Sequence, residues 1–227
     1  MTKLLGTVDL VRGDTGVPEP AKIYVGLHRR HLSDQEKLWR PQLSSHRRLL
    51  ISQCTNAQGQ FDAARANKEL ARLGIGDEHW DWRQLNRDYR GDAGCLLIAI
   101  ECSGRTQGLM LLESDIHVTR LQPKGQNLIY IDRVAVAPWN RKPLNPTQEF
   151  RGVGRLLVAT AISVSIDKSY DGRIGLHSLP GAQSFYSGMC GMTDLGVDPM
   201  KKLNYFEMTE TQATTFISRK AVQGTKP

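Results

Sequence analysis

Two glycines and two arginines stand together in the segment RGVGR, Arg151 to Arg155, directly before a long apolar, helix-like segment. A helix N-terminus presents unpaired backbone N–H groups and the positive end of the helix dipole. Glycines let an anion approach those groups without a side chain in its way, and the arginines add charge. The segment therefore predicts a binding site for a phosphate-bearing ligand.

The spacing of the residues excludes two other phosphate-binding motifs. A dinucleotide fingerprint needs a third glycine where this chain has Leu157, and a P-loop needs a Gly-Lys-Ser/Thr sequence that does not follow here. Two glycines before a helix are a weak signal alone, so the neighbouring segments decide what the site binds.

Two ionisable side chains interrupt apolar, strand-like segments. Asp132 lies in LIYIDRVAVAP, Leu128 to Pro138, and His177 lies in IGLHSL, Ile174 to Leu179. A charge inside an apolar strand is unfavourable unless it faces a cleft or a partner, so Asp132 is a candidate general base, with a structural ion pair as the alternative. Because strand side chains alternate, Arg133 is expected on the opposite face. His177 has a side chain whose pKa suits a base, with a packed, hydrogen-bonded histidine as the alternative.

A second signature, AQSFYSGMCGM from Ala182 to Met192, follows the glycine segment. Together with EFRGVG, Glu149 to Gly154, it resembles the motifs of the GNAT superfamily of acyl-coenzyme A-dependent N-acyltransferases. Their loop reads Gln/Arg-x-x-Gly-x-Gly/Ala before a helix, and a later segment reads Ala-x-x-Phe-Tyr-x-x-x-Gly-Phe/Met. This chain has one extra residue between its Phe-Tyr pair and the later glycine. The resemblance covers about Cys95 to Thr209 by motif, and Lys22 to Arg90 only by the order of elements.

The resemblance implies an α/β (α+β) fold in which a mixed, largely antiparallel sheet is flanked by helices. Strands at Leu128–Pro138 and Ile174–Leu179 would splay apart into a V-shaped cleft that holds acetyl-coenzyme A (acetyl-CoA) as co-substrate. The residues that the resemblance assigns to this ligand are Val134, Ala135 and Val136 for the pantetheine arm, Arg151, Gly152, Val153, Gly154 and Arg155 for the pyrophosphate, and Tyr186 beside the sulfur. No metal is implied.

The activity that the resemblance implies is N-acetyl transfer from acetyl-CoA to a primary amine, in the EC 2.3.1 class. The amine attacks the thioester directly, so catalysis is mainly positioning. A backbone N–H near Val134 polarises the thioester carbonyl. Tyr186 is the candidate general acid, and Asp132 or His177 is the candidate base. The alternative for Tyr186 is a core tyrosine that packs beside Phe185.

Three features depart from the superfamily pattern. Glu149 stands at the Gln/Arg position, which weakens anion binding unless the carboxylate points away from the loop. The asparagine often found before the Phe-Tyr helix is absent, with Leu179-Pro180-Gly181 in that region. The loop from Trp139 to Thr147 is longer than usual, and either serves the active site or is a surface insertion.

Length and element order favour one domain with an elaborated N-terminal half. We expect an N-terminal extension at residues 1–20, the first strand with an enlarged helical, acceptor-side region at 21–92, a cofactor-binding core at 93–210 and a C-terminal tail at 211–227. Ser33 is the expected N-cap of the first helix, Pro41 is expected to break or offset it, and Gly74 is expected to end the second helix.

Composition sets the broad class of the protein. The chain has 227 residues, of which 40% are apolar and 23% charged, as in an ordinary globular protein. No apolar run is long enough for a membrane span or a signal peptide. Four cysteines without CxxC spacing are expected to be free thiols, with neither zinc nor disulfides. A cytoplasmic protein is the resulting expectation.

The charge balance leaves several partners open. Lysines and arginines number 30 against 23 acidic residues, a net charge of +7, and the excess from Lys22 to Arg48 mildly favours an anionic partner. The acceptor could be a small amine, a protein amine or an aminoacyl-tRNA. A non-catalytic acyl-CoA-binding regulatory module is the alternative function, and Glu149 supports it. Scattered basic residues without a stacking-aromatic motif argue against a nucleic-acid-binding protein, and the sequence leaves a homodimer open.

Overall fold

The computed structural model describes residues 2–223, with side chains described as far as Ser218. Within these residues the strands are β1 (Lys3–Arg12), β2 (Pro18–Val25), β3 (Cys95–Cys102), β4 (Arg105–Glu113), β5 (Ile129–Val136), β6 (Phe150–Arg151), β7 (Ile174–Ser178), β8 (Thr193–Val197) and β9 (Asn204–Met208). The α-helices are α1 (Arg29–Asp34), α2 (Arg40–Gln53), α3 (Ala63–Leu73), α4 (Trp82–Tyr89), α5 (Val153–Asp167) and α6 (Glu210–Gln223).

All nine strands belong to one sheet, in the order β6-β1-β2-β3-β4-β5-β7-β9-β8. The pair β5–β7 is parallel, and the other neighbouring pairs of this sheet are antiparallel. The predicted mixed, largely antiparallel sheet with flanking helices is therefore confirmed. In the described part of the chain, no helix is both long and apolar enough to cross a membrane. The four cysteines are free thiols, as predicted.

Both ends of the chain contain regular structure. The extension expected at residues 1–20 contains β1, which pairs with both β2 and β6 and so belongs to the sheet. In place of a tail at residues 211–227, Glu210–Gln223 form α6, whose Phe216 is buried in the core. Residues 224–227 lie outside the described residues.

The first helix begins earlier than predicted. His28, not Ser33, is the N-cap of α1, and its Nδ1 accepts the N–H of Arg30 at 3.2 Å. A single wide π-turn, Gln35–Trp39, then carries the helix into α2, which has Pro41 in its first turn. Proline has no N–H to donate but is tolerated in a first turn, so the helix is offset here and not broken.

Hydrophobic cores lie on both faces of the sheet. Helices α5 and α6 cover one face, to which β5 contributes Ile129 and Ile131. Helices α1 and α4 cover the other face, to which β5 contributes Ala135, packed with Trp82 and Trp139. Because side chains of a strand alternate between the faces, β5 presents groups to both sides of the sheet.

Candidate functional site

Strands β5 and β7 separate partway along their length. Their parallel pairing runs from Ile129 opposite Ile174 to Ile131 opposite Leu176, whereas β5 continues to Val136. The sheet therefore opens between the two strands beyond Ile131. This opening is the predicted V-shaped cleft.

The backbone of β5 offers alternate residues to the cleft. The N–H of Ala137 donates to the Gln107 carbonyl on β4 at 2.9 Å. In an antiparallel ladder every second residue bonds its partner strand, so Ala135 also faces β4, while Val134 and Val136 face the cleft. The expectation for Ala135 is corrected accordingly, because its N–H and C=O are directed at β4 and not at a pantetheine arm.

A β-bulge at Asp132 changes which side chains share a face. Along β4, Arg133 pairs with Leu111 and Ile131 with Leu112, which leaves Asp132 as the extra residue. Arg133 therefore lies beside Asp132, contrary to expectation, and its Nη1 donates to Asp132 Oδ1 at 2.9 Å. Burial raises the pKa of Asp132, and the Arg133 guanidinium opposes that shift. The carboxylate thus combines a raised pKa, which suits a general base, with an ion pair that holds it in place.

The start of α5 leaves backbone donors without helical partners. Gly152 is its N-cap, with φ +84°. The N–H of Leu156 donates to the Gly152 carbonyl at 2.9 Å, so the N–H groups of Val153, Gly154 and Arg155 precede the first helical bond. Gly152 forms no side-chain cap, and the first turn holds no acidic residue. This is the arrangement that anion binding at a helix start requires.

The two arginines of this loop have different surroundings. Arg151 Nη2 donates to the Gly13 carbonyl at 2.7 Å, which ties its side chain to the turn between β1 and β2. The guanidinium of Arg155 lies 5.3 Å from the centre of the Phe216 ring. Since both side chains have partners within the protein, the backbone N–H groups are the main donors that a phosphate would meet.

Gly154 brings the start of α5 to the cleft. A Cβ at this position would lie 3.2 Å from the ring of Phe185 and 3.8 Å from Cγ2 of Val136. A residue without a side chain permits this close approach. The helix start, the end of β5 and the Phe-Tyr segment therefore converge at one point.

The negative charge of Glu149 is balanced by Arg105. Its carboxylate accepts hydrogen bonds from Nη2 of Arg105, whose guanidinium lies 4.6 Å from the centre of the Trp139 ring. The ion pair neutralises the carboxylate that, from the sequence, is unfavourable for anion binding.

Tyr186 lies in a single π-turn, Phe185–Met189, and is buried. Its ring centre is 5.2 Å from that of Phe185. Burial is the main cause that raises the pKa of Tyr186, and the Asp77 carboxylate adds to it. The hydroxyl is therefore protonated at neutral pH, which is the state that a general acid requires.

His177 belongs to a hydrogen-bonded cluster. Its Nδ1 is 2.7 Å from the Tyr130 hydroxyl, which also accepts from Lys201 Nζ at 3.1 Å. Its Nε2 lies 3.3 Å from Asp198 Oδ2, and burial lowers the pKa of His177. Sequence reasoning misses Tyr130 and Lys201. The available signal is the position of Tyr130 in the same strand as Asp132.

The three candidate catalytic side chains do not form one cluster. Tyr186 packs in the core on the α5 face. His177 packs against Tyr130 and Tyr205 on the other face, and the ion pair of Asp132 also lies there, because its partner Arg133 stacks over a tryptophan of that face. The sheet, with the opening beyond Ile131, separates Tyr186 from the other two side chains.

The long loop after β5 is fixed at several points. Trp139 Nε1 and Asn140 Nδ2 both donate to Gln107 Oε1 at 2.8 Å. Arg141 Nε donates to the Val136 carbonyl at 2.8 Å, at the edge of the cleft. The loop therefore borders the cleft and is not a remote surface insertion.

A histidine cluster near the start of α1 has the residue types of a metal site. The Nδ1 atoms of His28 and His31 accept backbone N–H groups at 3.2 and 3.4 Å. Their Nε2 atoms face Glu101 Oε2 at 3.8 and 3.6 Å, beyond hydrogen-bond distance, and the buried Nε2 of His31 has no hydrogen-bond partner among the described residues. The ligand atoms of His28, His31 and Glu101 lie within 4.8 Å of one another, as the ligands of a metal ion would.

No family model matches the chain, and no curated protein sequence matches it. Solved structures similar to it include RimJ from Mycobacterium smegmatis in complex with CoA-disulfide, 13% identical with a TM-score of 0.47, covering 97% of this chain and 95% of that one. An uncharacterised protein from Bacillus halodurans is 10% identical with a TM-score of 0.48, covering 95% and 96%. A mutant AtaT toxin, bound to the C-terminus of the antitoxin AtaR and acetyl-CoA, is 18% identical with a TM-score of 0.43, covering 59% and 78%. Identities and TM-scores this low carry no argument about activity, which has to be made from the site.

Proposed function

We propose that this chain is a GNAT-type N-acyltransferase of the EC 2.3.1 class, which transfers an acetyl group from acetyl-CoA to a primary amine. The observation that carries the proposal is the convergence of Gly154 at the start of α5, Val136 at the end of β5, and Phe185 beside Tyr186. A pyrophosphate, a peptide-like arm and a thioester can lie one after another along these three segments.

The cofactor binds through backbone groups. The N–H groups of Val153, Gly154 and Arg155 receive the pyrophosphate, supported by the positive end of the helix dipole. Val134 and Val136 offer their cleft-facing backbone groups to the amides of the pantetheine arm. The ion pair of Glu149 with Arg105 removes the charge that would oppose an anion here.

The chemistry is direct aminolysis of the thioester. A C–N bond forms as the C–S bond breaks, and a backbone N–H near Val134 polarises the carbonyl. Asp132 takes a proton from the ammonium group, directly or through water, and Tyr186 gives its proton to the departing thiolate. The second proton that the nitrogen loses on becoming an amide restores the Tyr186 hydroxyl. His177 is the second candidate base. Holding the amine and the thioester together in the cleft accounts for much of the rate enhancement.

A non-catalytic acyl-CoA-binding module is the competing function. Its main support is Glu149 beside the anion loop, and the pairing of that carboxylate with Arg105 weakens this support. The two functions share the cofactor site and differ only in whether an amine is consumed.

Thiol release from acetyl-CoA tests the proposal. Purified protein is assayed against small alkylamines and polyamines, a peptide that offers a lysine and an N-terminal amine, and an aminoacyl-tRNA. Amine-dependent release with acetylated product, identified by mass spectrometry, is the expected result. Cofactor binding without release on any of these amines would favour the regulatory module instead.

A further inference from the structure

Two histidines and a glutamate meet where the start of α1 approaches the end of β3. The Nε2 atoms of His28 and His31 lie 3.8 and 3.6 Å from Oε2 of Glu101, and all three atoms lie within 4.8 Å of one another. Two ligand atoms bound to one zinc ion at tetrahedral angles lie about 3.3 Å apart. Movements of a few tenths of an ångström would therefore bring these three atoms to a common ion.

The cluster lies away from the cleft. His28 and His31 belong to the start of α1, and Glu101 belongs to β3, which β4 separates from β5 in the sheet. The cleft opens on the far side of β5, between β5 and β7. A ligand of this cluster is therefore not part of the proposed acetyl-CoA site.

The strongest sign of a ligand is the unused nitrogen of His31. This side chain is 0% exposed, and its Nε2 has no hydrogen-bond partner among the described residues. The carboxylate that this nitrogen faces is only 14% exposed. A buried polar atom without a partner and a half-desolvated carboxylate both raise the free energy of the fold. A cation between them would satisfy both groups at once.

The donor set selects the kind of cation. Imidazole nitrogens suit zinc and its neighbours among the transition metals, whereas calcium and magnesium prefer oxygen ligands throughout. Zinc accepts histidine and glutamate in a tetrahedral site, and three protein ligands leave its fourth position to water. His28 is 38% exposed, so an ion has access from solvent on this side.

Two features compete with an ion for these ligands. Arg30 Nη1 lies 3.8 Å from the other carboxylate oxygen of Glu101, but the arginine side chain is 55% exposed and can turn to solvent. The Nδ1 atoms of His28 and His31 accept backbone N–H groups at 3.2 and 3.4 Å. An imidazole that binds a metal through Nε2 carries its proton on Nδ1, so these two bonds would be lost. They are long and therefore weak.

We propose that His28, His31 and Glu101 form a zinc site that fastens the start of α1 to β3. The ion binds the two Nε2 atoms and Oε2, with water at the fourth position. Because the glutamate is far from the histidines along the chain, the amino-acid sequence gives no sign of this site. The site is independent of acetyl-CoA, so its failure would leave the proposed function intact.

Titration of the full chain with zinc, after removal of metal with EDTA and dialysis, tests this. Calorimetry measures the number of bound ions and the Kd, and thermal melts measure stabilisation. His28→Asn and Glu101→Gln each remove one ligand, and asparagine still accepts the N–H of an N-cap, so the start of α1 is preserved. His79→Gln is the matched control, because it removes an exposed histidine outside the cluster.

We expect wild type to bind one zinc ion with a micromolar Kd and to melt at a Tm that rises with zinc concentration. His28→Asn and Glu101→Gln should bind at least about tenfold more weakly, with the control unchanged. Nitrogen-15 spectra of the histidine rings give a readout that needs no ligand variant to fold. Zinc should move the ring proton of two histidines of wild type from Nε2 to Nδ1.

Two results would overturn the inference. One is a wild-type chain that binds no zinc and whose histidine ring spectra do not change. The other is zinc binding with wild-type affinity by both ligand variants, which would place the ion on other residues, such as the partly exposed thiol of Cys95.

Discussion

The two sides of the cleft are built from different chemical groups. The proposed donor side, formed by the end of β5, the start of α5 and the Phe-Tyr turn, offers backbone N–H and C=O groups around Gly154. The proposed acceptor side offers charged side chains in pairs, Arg133 with Asp132 at the bulge of β5, and Arg141 in the loop after β5 with Asp77 in the helical region. Backbone groups do not titrate, and a ligand reaches them only where no side chain blocks its approach. The charge of an ion pair, in contrast, responds to burial and pH. Steric changes should therefore disable the donor side, and changes of charge or pH should act on the acceptor side.

The largest effect on turnover is expected at Tyr186. This side chain can transfer a proton, and it lies on the donor side, where the other binding groups belong to the backbone. Tyr186→Phe keeps the ring that packs on Phe185 but removes the proton for the thiolate, so kcat should fall about a hundredfold. The Kd for acetyl-CoA should stay the same. Steady-state kinetics and calorimetry separate the two quantities.

The matched control is Tyr170→Phe, because the Tyr170 hydroxyl bonds Asp115 and the residue follows the end of α5. Its kcat should equal that of wild type. Wild-type turnover in Tyr186→Phe would remove the general acid from the mechanism and return Tyr186 to the role of a core tyrosine.

A second effect, on stability, is expected in the helical region of the acceptor side. His31 is 0% exposed, and burial, with the charges of His28 and Arg30, lowers its pKa to about 3. In the unfolded chain histidine takes up its proton near pH 6.5, so the unfolded state binds protons first and stability falls as pH drops below that value. Between pH 7 and pH 5 we expect a loss of about 2 kcal/mol, or about 4–8 °C in Tm.

Thermal melts at the two pH values measure this loss. His31→Gln should flatten the dependence of Tm on pH, and His79→Gln, at an exposed histidine, should leave it as in wild type. An unchanged dependence in His31→Gln would show that other groups cause the acid sensitivity.

The smallest effect is expected at Glu149. Because Arg105 balances this carboxylate, Glu149→Gln should change the Kd for acetyl-CoA by less than about threefold, as is usual for a partly exposed ion pair. Arg105→Gln, which leaves the carboxylate unbalanced, should weaken binding more. Tenfold tighter binding by Glu149→Gln would mean that its charge acts directly on the bound anion.

The contrast between the two sides also explains what can be predicted from the sequence. A site made of backbone groups has a local signature, because its glycines and its helix start follow one another along the chain. The segment Arg151–Arg155 and the later Phe-Tyr pair are therefore recognisable from the amino-acid sequence alone, as is the largely antiparallel sheet.

Pairs of side chains leave no such signature. Arg141 and Asp77 are 64 residues apart, and neither type is unusual in a loop. The bulge that places Arg133 beside Asp132 arises from pairing with β4, so the simple alternation of a strand predicts the wrong face. The sequence also places Ala135 wrongly in the cleft, because the direction of backbone groups depends on which neighbouring strand takes which bond.

The most direct test of the account is calorimetric titration of the full chain with acetyl-CoA, beside Gly154→Glu and Gly188→Ala. A side chain at 154 meets Phe185 at 3.2 Å from its first atom, whereas a Cβ at 188 meets nothing within 4 Å. The account predicts micromolar binding by wild type and Gly188→Ala, and none by Gly154→Glu in folded protein. Absence of binding by the wild type, or full binding by Gly154→Glu, would contradict a cofactor site at the start of α5.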